Sequence, residues 1–173
     1  TSCWPSLSEV PAKIDLAVIA APFAKIEGIL KECRKLSIPN VLVTPGDETL
    51  TTDRRWRERI AAAAREAGIR LIGPDSMGIM RPSIGLNVSY WPRLAQSGSI
   101  GLLCQSGAVT ASVLEYASRS GLGFSTVISS GLESEVTLAE MVDFLAADPQ
   151  TEIIALHIEA VRHPRSFFSA LKN

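Results

Sequence analysis

The sequence predicts an α/β fold made of two parallel-sheet units. Near-continuous apolar runs of strand length, such as residues 14–21, are typical of strands buried on both faces of a parallel sheet. Stretches with helical spacing follow these runs, and Gly or Pro stands where most of the runs end. This alternation predicts parallel sheets with right-handed crossovers.

The first unit reads as strand, helix, strand, helix, strand. We predict strands at residues 14–21, 41–43 and 69–72, and helices at residues 23–36 and from Thr51 or Thr52 to residue 67, with Gly68 as the C-cap. No GxGxxG turn occurs in the chain, although a nucleotide-binding half usually has one after its first strand. Either that strand precedes Thr1 in a longer protein, or the domain never had it.

The second unit follows a Gly- and Pro-containing stretch, residues 80–98, which we interpret as a connector. We predict strands at residues 100–104, 124–129 and 153–158, and helices at residues 108–119, at residues 138–146 and around Phe167. The predicted domains are residues 1–92 and 98–173.

Composition excludes several partners. The 173 residues carry a net charge of −1, so nothing indicates a nucleic-acid or membrane surface, and no apolar run is long enough to span a bilayer. Arg54, Arg55, Arg57 and Arg59 are interleaved with Asp53 and Glu58, which favours a solvated helix face. The chain starts and stops abruptly, so we expect a fragment of a longer protein.

The cysteines also limit the possibilities. Cys3, Cys33 and Cys104 are far apart and form no CxxC pair, so no disulfide framework or zinc site is indicated. A reducing compartment fits this usage, and the N-terminus does not resemble a signal peptide. We therefore expect a cytoplasmic protein with no metal site.

Residues 101–116 contain the strongest site signal. An apolar strand ends at Gln105-Ser106-Gly107-Ala108, and a helical pattern begins at once. Ser106 can cap that helix, and its first-turn N–H groups and dipole favour an anion, most of all phosphate. The alternative is an ordinary strand-to-helix turn that uses Ser and Gly only as turn and cap.

Several segments then resemble one family along nearly the whole chain. They are Ile19-Ala20-Ala21-Pro22-Phe23, the run from Arg70 to Gly78 containing Gly73-Pro74-Asp75, Cys104-Gln105-Ser106-Gly107-Ala108, residues 121–125, Asp148-Pro149-Gln150-Thr151, and Ile158-Glu159. In this order they resemble the alpha-subunit-like part of NDP-forming acyl-CoA synthetases, the superfamily that includes succinyl-CoA synthetase.

The resemblance implies an incomplete Rossmann-like CoA-binding domain followed by a truncated flavodoxin-like CoA-ligase domain. Such proteins form acyl-CoA from an acid, CoA and a nucleoside triphosphate through an acyl phosphate and a phosphohistidine. By resemblance, Ser106, Gly107 and Ala108 would bind phosphate, and Glu159 would orient the histidine. The loops carrying Pro22, Phe23, Thr44, Asp75 and Ser76 would contact CoA or acyl-CoA. ATP or ADP with Mg²⁺, an ATP-grasp subunit or domain, and homo-oligomerisation are implied for the full-length protein.

This chain also departs from the family pattern. Asp75 replaces an asparagine, and the segment with the phosphorylated histidine is absent. His157 lies inside an apolar strand and reads as a satisfied core residue, whereas His163 reads as a surface loop residue. Without the resemblance, Glu159 would be a solvated carboxylate at a strand end and Asp75 a turn residue.

Two functions from different classes follow. The first is part of an acyl-CoA synthetase, catalytically incomplete as these 173 residues alone. The alternative is a non-catalytic acyl-CoA-sensing region of a protein-lysine acetyltransferase, joined to an acetyltransferase domain. Residues 85–90, Gly-Leu-Asn-Val-Ser-Tyr, are similar to a stretch found in such acetyltransferases.

Overall fold

The computed structural model describes residues 2–44 and 53–172. Its strands are β1 Leu16–Ile19, β2 Asn40–Val43, β3 Arg70–Ile72, β4 Gly78–Arg81, β5 Leu86–Ser89, β6 Ser97–Cys104, β7 Phe124–Ser129 and β8 Ile153–His157. Its helices are α1 Ile26–Lys35, α2 Arg54–Ala67, α3 Gly107–Ser120, α4 Leu138–Ala147 and α5 Pro164–Ala170. No helix in this described part of the chain is long and apolar enough to cross a membrane.

The first sheet is parallel, as predicted, with the order β1-β2-β3. Apolar side chains of these strands pack against α1 and α2 in one core that includes Ile26, Leu30, Ile60 and Leu71. Within the described residues, no strand pairs with the outer edge of β1, where Val18 is 46% exposed.

The second predicted helix begins slightly later than expected. Its N-cap is Asp53, whose carboxylate accepts a hydrogen bond from the Arg55 backbone N–H at 2.8 Å. Thr51 and Thr52, the predicted caps, lie outside the described residues. Gly68 ends the helix in the left-handed conformation, as predicted, because glycine adopts positive φ without a steric penalty.

The second sheet is mixed, which corrects the expectation of two wholly parallel sheets. Its order is β5-β4-β7-β6-β8; β6 is parallel to β7 and β8, whereas β4 is antiparallel to both β5 and β7. Residues 80–98 are therefore not a plain connector. By strand pairing, β4 and β5 belong to the second sheet, although they precede the boundary predicted at residue 92.

Helices cover both faces of this second sheet. The core around α4 and α5 includes Leu103, Met141 and Leu145, and the core around α3 includes Met80 and Leu114. A capping box starts α4. The Thr137 hydroxyl accepts from the Glu140 backbone N–H, and the Glu140 carboxylate accepts from the Thr137 backbone N–H.

A backbone junction joins the two sheets. The N–H groups of Leu132, Ser134 and Val136 donate to the carbonyls of Pro74, Gly73 and Leu71, at 2.9, 3.2 and 3.1 Å. Side chains extend the junction: the Arg70 guanidinium reaches Glu135 at 3.2 Å and Glu140 at 2.6 Å. The loops at the carboxyl ends of β3 and β7 are thereby held side by side.

Candidate functional site at the junction of the two sheets

A cavity of about 420 Å³ opens where these strand ends meet. Its lining contains five of the residues singled out in the sequence, together with Met77, Gln105, Gly131 and Leu132; the five are Asp75, Ser106, Gly107, Ala108 and Glu159. They come from three separate loops, after β3, β6 and β8. The fold thus brings the predicted phosphate-binding turn, one predicted CoA contact and the predicted histidine-orienting carboxylate to a single cavity.

The N-terminus of α3 forms one wall of the cavity. The Ser106 hydroxyl caps the helix by accepting from the Val109 backbone N–H at 3.3 Å. Helix geometry leaves the N–H groups of Gly107 and Ala108 without intrahelical acceptors, and the helix dipole adds partial positive charge there. Gly107 lies against Met77, whose Cβ would be 3.3 Å from an added Cβ. This wall offers main-chain donors to an anion.

The Gln105 side chain links the loops after β7 and β8 beside the cavity, a role that the sequence analysis missed. Its amide oxygen accepts from the backbone N–H groups of Glu159 and Ala160, at 2.5 and 2.9 Å. Its amide nitrogen donates to the Ala160 carbonyl at 2.7 Å and to the Glu133 carboxylate. This one side chain therefore fixes the backbone that carries Glu159, which is itself exposed.

Glu133 lies behind this wall and was also missed. It is only 8% exposed, and its φ of +50° lies in a backbone region that residues other than glycine rarely adopt. Burial raises the pKa of its carboxyl, and hydrogen bonds from Gln105 and from the Leu138 backbone N–H oppose that rise. Glu133 thus couples the loop after β7 to Gln105 and to the start of α4.

A second cleft, of about 210 Å³, lies at the ends of β1 and β2 and includes the predicted CoA contact Thr44. Its walls mix apolar Val18 and Val88 with polar Asn87 and Ser89. The Tyr90 hydroxyl donates to the Thr44 hydroxyl at 3.0 Å, and Thr44 donates to the Ile19 carbonyl at 2.9 Å. The cleft therefore offers both hydrogen-bonding groups and apolar surface.

Comparison with known proteins identifies the family. Residues 1–82 match the CoA binding domain, and residues 97–173 match the succinyl-CoA ligase like flavodoxin domain. The chain belongs to the NDP-forming acyl-CoA synthetase superfamily.

Three relatives show what this chain is similar to. Acetate–CoA ligase [ADP-forming] I of Archaeoglobus fulgidus is 30% identical over 99% of the chain, which covers 25% of that protein. The alpha subunit of acetate–CoA ligase [ADP-forming] II of Pyrococcus furiosus is 30% identical over 98% of the chain, which covers 37% of the subunit. The third is the solved dinucleotide-forming acetyl-coenzyme A synthetase 1 of Ca. Korarchaeum cryptofilum, in complex with phosphate and ADP. It superposes with a TM-score of 0.91 at 27% identity, over 98% of this chain and 37% of that one.

The chain therefore corresponds to the CoA-binding and ligase-like alpha region of ADP-forming acyl-CoA synthetases, and it spans only part of these relatives. All three are ligases or synthetases, and none of them supports the acetyltransferase alternative.

Two of the predicted CoA contacts have internal side chains. Phe23 is 1% exposed and stacks on Trp56, with ring centroids 4.7 Å apart. Ser76 is fully buried; its hydroxyl donates to the Ser129 carbonyl at 2.5 Å and accepts from the Gly78 backbone N–H at 3.0 Å. Both side chains shape the loops, whereas Pro22 and Asp75 are exposed.

The histidines differ from the sequence interpretation in one respect. The Nδ1 atom of His157 is buried and has no hydrogen-bond partner among the described residues, so the prediction of a satisfied core histidine is wrong. His163 is exposed and precedes α5, as a surface position requires. Neither histidine lines the 420 Å³ cavity.

Proposed function

We propose that this chain is the CoA- and phosphate-binding region of an ADP-forming acyl-CoA synthetase that makes acyl-CoA through an acyl phosphate and a phosphohistidine. The observation that carries the proposal is the meeting of Asp75, the Ser106–Ala108 turn and Glu159 at one cavity of about 420 Å³. Phosphoryl transfer depends mainly on positioning and charge stabilisation, which main-chain donors and a helix N-terminus can supply.

In this proposal each group has one task. The N–H groups of Gly107 and Ala108 bind the phosphoryl oxygens, and Ser106 holds the helix start in place. Glu159 accepts an imidazole N–H from a histidine outside this chain and thereby fixes its tautomer and orientation. Gln105 positions the Glu159 backbone from behind.

CoA or acyl-CoA would be held by the loops carrying Pro22, Phe23, Thr44, Asp75 and Ser76. The mixed cleft beside Thr44 supports this assignment for the pantetheine arm, and Phe23 and Ser76 contribute through the loop backbone. When bound, CoA supplies the thiol that accepts the acyl group.

The rest of the enzyme is proposed to lie outside this chain. An ATP-grasp subunit or domain would bind ATP or ADP with Mg²⁺, and the chain alone would be catalytically inactive. The naming of the Pyrococcus relative as an alpha subunit supports a second component. We also propose homo-oligomerisation, on the family resemblance, and a cytoplasmic location, which the free thiols of Cys3, Cys33 and Cys104 support.

The test is titration of the chain with inorganic phosphate by calorimetry, comparing Ser106→Asp with Ser112→Asp. Aspartate at position 106 retains helix capping but places negative charge where phosphate would bind, so we expect at least about a tenfold loss of affinity. Ser112 is exposed on the same helix beyond its first turn, so the same substitution there should have little effect. Equal phosphate affinity in the two variants would contradict the assignment.

A further inference from the structure

A third and larger cavity, of about 560 Å³, lies between α2 and the loop that follows β7. Among the described residues it shares only Leu132 with the 420 Å³ cavity. Its lining concentrates positive charge from two distant parts of the chain: Arg54, Arg57 and Arg65 of α2, and Arg162 before α5. Arg54, Arg55 and Arg59 are exposed, as a solvated helix face predicts, whereas Arg57 is half-buried.

The carboxylates of this cavity are already engaged. Glu58 pairs with Arg54 at 2.7 Å, and Glu133 accepts from Gln105 and the Leu138 backbone N–H. Arg57, Arg65 and Arg162 remain as cations that no described carboxylate pairs with. The cavity therefore carries an excess of positive charge even when Glu58 and Glu133 are both ionised.

Two hydrogen-bonding groups of the lining lack partners. Among the described residues, three buried side-chain polar atoms have none, and two of these, Arg57 Nε and Ser134 Oγ, belong to residues that line this cavity. A buried donor without an acceptor costs free energy comparable to a lost hydrogen bond. The pKa of Arg57 is lowered, first by burial and then by the nearby positive charges of Arg162 and Arg54.

We propose that this cavity is a binding site for a multivalent oxyanion, held by Arg57 and Arg162 with Ser134 as a neutral donor. Guanidinium groups bind phosphate and carboxylate oxygens through paired N–H donors, and an anion between Arg57 and Arg162 replaces their repulsion with attraction. The site is distinct from the proposed phosphate turn at Ser106 and stands whether or not the synthetase proposal is correct.

The size of the cavity sets the ligand class. A volume of about 560 Å³ is within the range of metabolite sites and far exceeds a single phosphate ion. The ligand is therefore a small molecule that carries several phosphate or carboxylate oxygens. Guanidinium groups recognise phosphate compounds and polycarboxylates by the same chemistry. The experiment therefore tests one ligand of each kind.

Calorimetric titration of the chain with diphosphate and with citrate, at constant ionic strength in chloride, tests the proposal. The wild type should bind at least one of the two, and Arg57→Gln with Arg162→Gln should weaken that binding about tenfold or more. Binding of diphosphate alone identifies a phosphate compound, and binding of citrate alone identifies a polycarboxylate. Binding of neither ligand overturns the proposal.

Matched variants distinguish a built site from general charge attraction to the arginine-rich helix. Arg55→Gln removes an exposed arginine of the same helix that does not line the cavity, and it should leave both affinities unchanged. Equal weakening by Arg55→Gln would show that net charge alone attracts the ligand and would refute the proposal. If the double variant does not fold by circular dichroism, Arg162→Gln alone, at an exposed position, replaces it.

Discussion

At the scale of single residues, Gln105 shows how one amide can fix a site. It joins Glu159, Ala160 and Glu133, and so connects loops that follow different strands. The side chain is uncharged, and its hydrogen bonds pair the backbone N–H groups of Glu159 and Ala160 and the Ala160 carbonyl.

Gln105→Leu tests this connection through its pH dependence. Because burial raises the folded pKa of Glu133, the stability that its carboxyl contributes is present below the unfolded pKa of about 4.3 and is lost as pH rises through the folded pKa. Removing the Gln105 donor raises that folded pKa further. We expect a loss of about 1.5–3 kcal/mol in unfolding free energy at pH 7, and a smaller loss near pH 4.

Urea unfolding at both pH values measures this difference. Gln96→Leu is the control, since Gln96 is exposed and its side chain should contribute little. A loss that is the same at pH 4 and pH 7 would contradict the coupling between Gln105 and the ionised Glu133.

The stability contributed by Asp148 depends on pH with the opposite sign to that of Glu133. Its carboxylate accepts from two guanidinium nitrogens of Arg81, at 2.9 and 2.8 Å, and from Gln150 and Thr151. The hydrogen bonds from Arg81 contribute most to lowering its pKa to about 2. The stability from this pairing is therefore present above the unfolded pKa of about 3.9 and is lost as pH falls towards 2.

Asp148→Asn should reduce the unfolding free energy by about 2–4 kcal/mol at pH 7, because it leaves the Arg81 guanidinium without its carboxylate. The difference from the wild type should shrink between about pH 4 and pH 2 in urea unfolding. Asp15→Asn, which removes an exposed ion pair with Lys13, should cost less than about 1 kcal/mol. A full-sized difference that persists at pH 2 would show that charge is not the cause.

At the scale of elements, the loop after β7 depends on a close backbone approach at Gly131. Its φ is +60°, and an added Cβ would lie 2.2 Å from the Pro74 carbonyl oxygen and 2.8 Å from the Ser76 nitrogen. A side chain there cannot be accommodated without moving one loop away from the other. Both loops line the cavity assigned to phosphate.

Gly131→Ala should therefore destabilise the protein by about 2–4 kcal/mol and weaken phosphate binding. Gly121→Ala is a matched control, since Gly121 has a φ of +71° but nothing within 4 Å of an added Cβ. The control should cost only about 1 kcal/mol and leave phosphate affinity unchanged. Thermal unfolding and calorimetry measure both effects, and equal costs would show that contact with Pro74 is unimportant.

At the scale of the whole molecule, the sequence predicted the elements with strong local signals. Apolar runs predicted β1 and β6, and Gly68 as a C-cap predicted the end of α2. β4 and β5 were missed because Pro82 and Gly85 between them indicate a loop, and because β4 pairs with the distant β7. Such long-range pairing leaves no local pattern.

The site was predictable only in part for the same reason. Asp75, the Ser106–Ala108 turn and Glu159 were found through motifs, and the fold then placed them together. The contacts of Gln105 and Glu133 and the charged cavity at Arg57 depend on distances between segments far apart in sequence. Helical spacing alone could not distinguish Arg57, which lines that cavity, from the exposed Arg55.

The backbone junction between the sheets has one more consequence. The same two loops that exchange the hydrogen bonds of Leu132 and Ser134 also line the 420 Å³ cavity side by side. Any ligand that contacts both loops binds the joined arrangement better than a separated one, so the junction and ligand affinity are thermodynamically linked. This linkage is reciprocal: ligand binding stabilises the junction by the same factor by which an intact junction raises ligand affinity. The strength of the backbone junction therefore contributes to the ligand affinity of this protein.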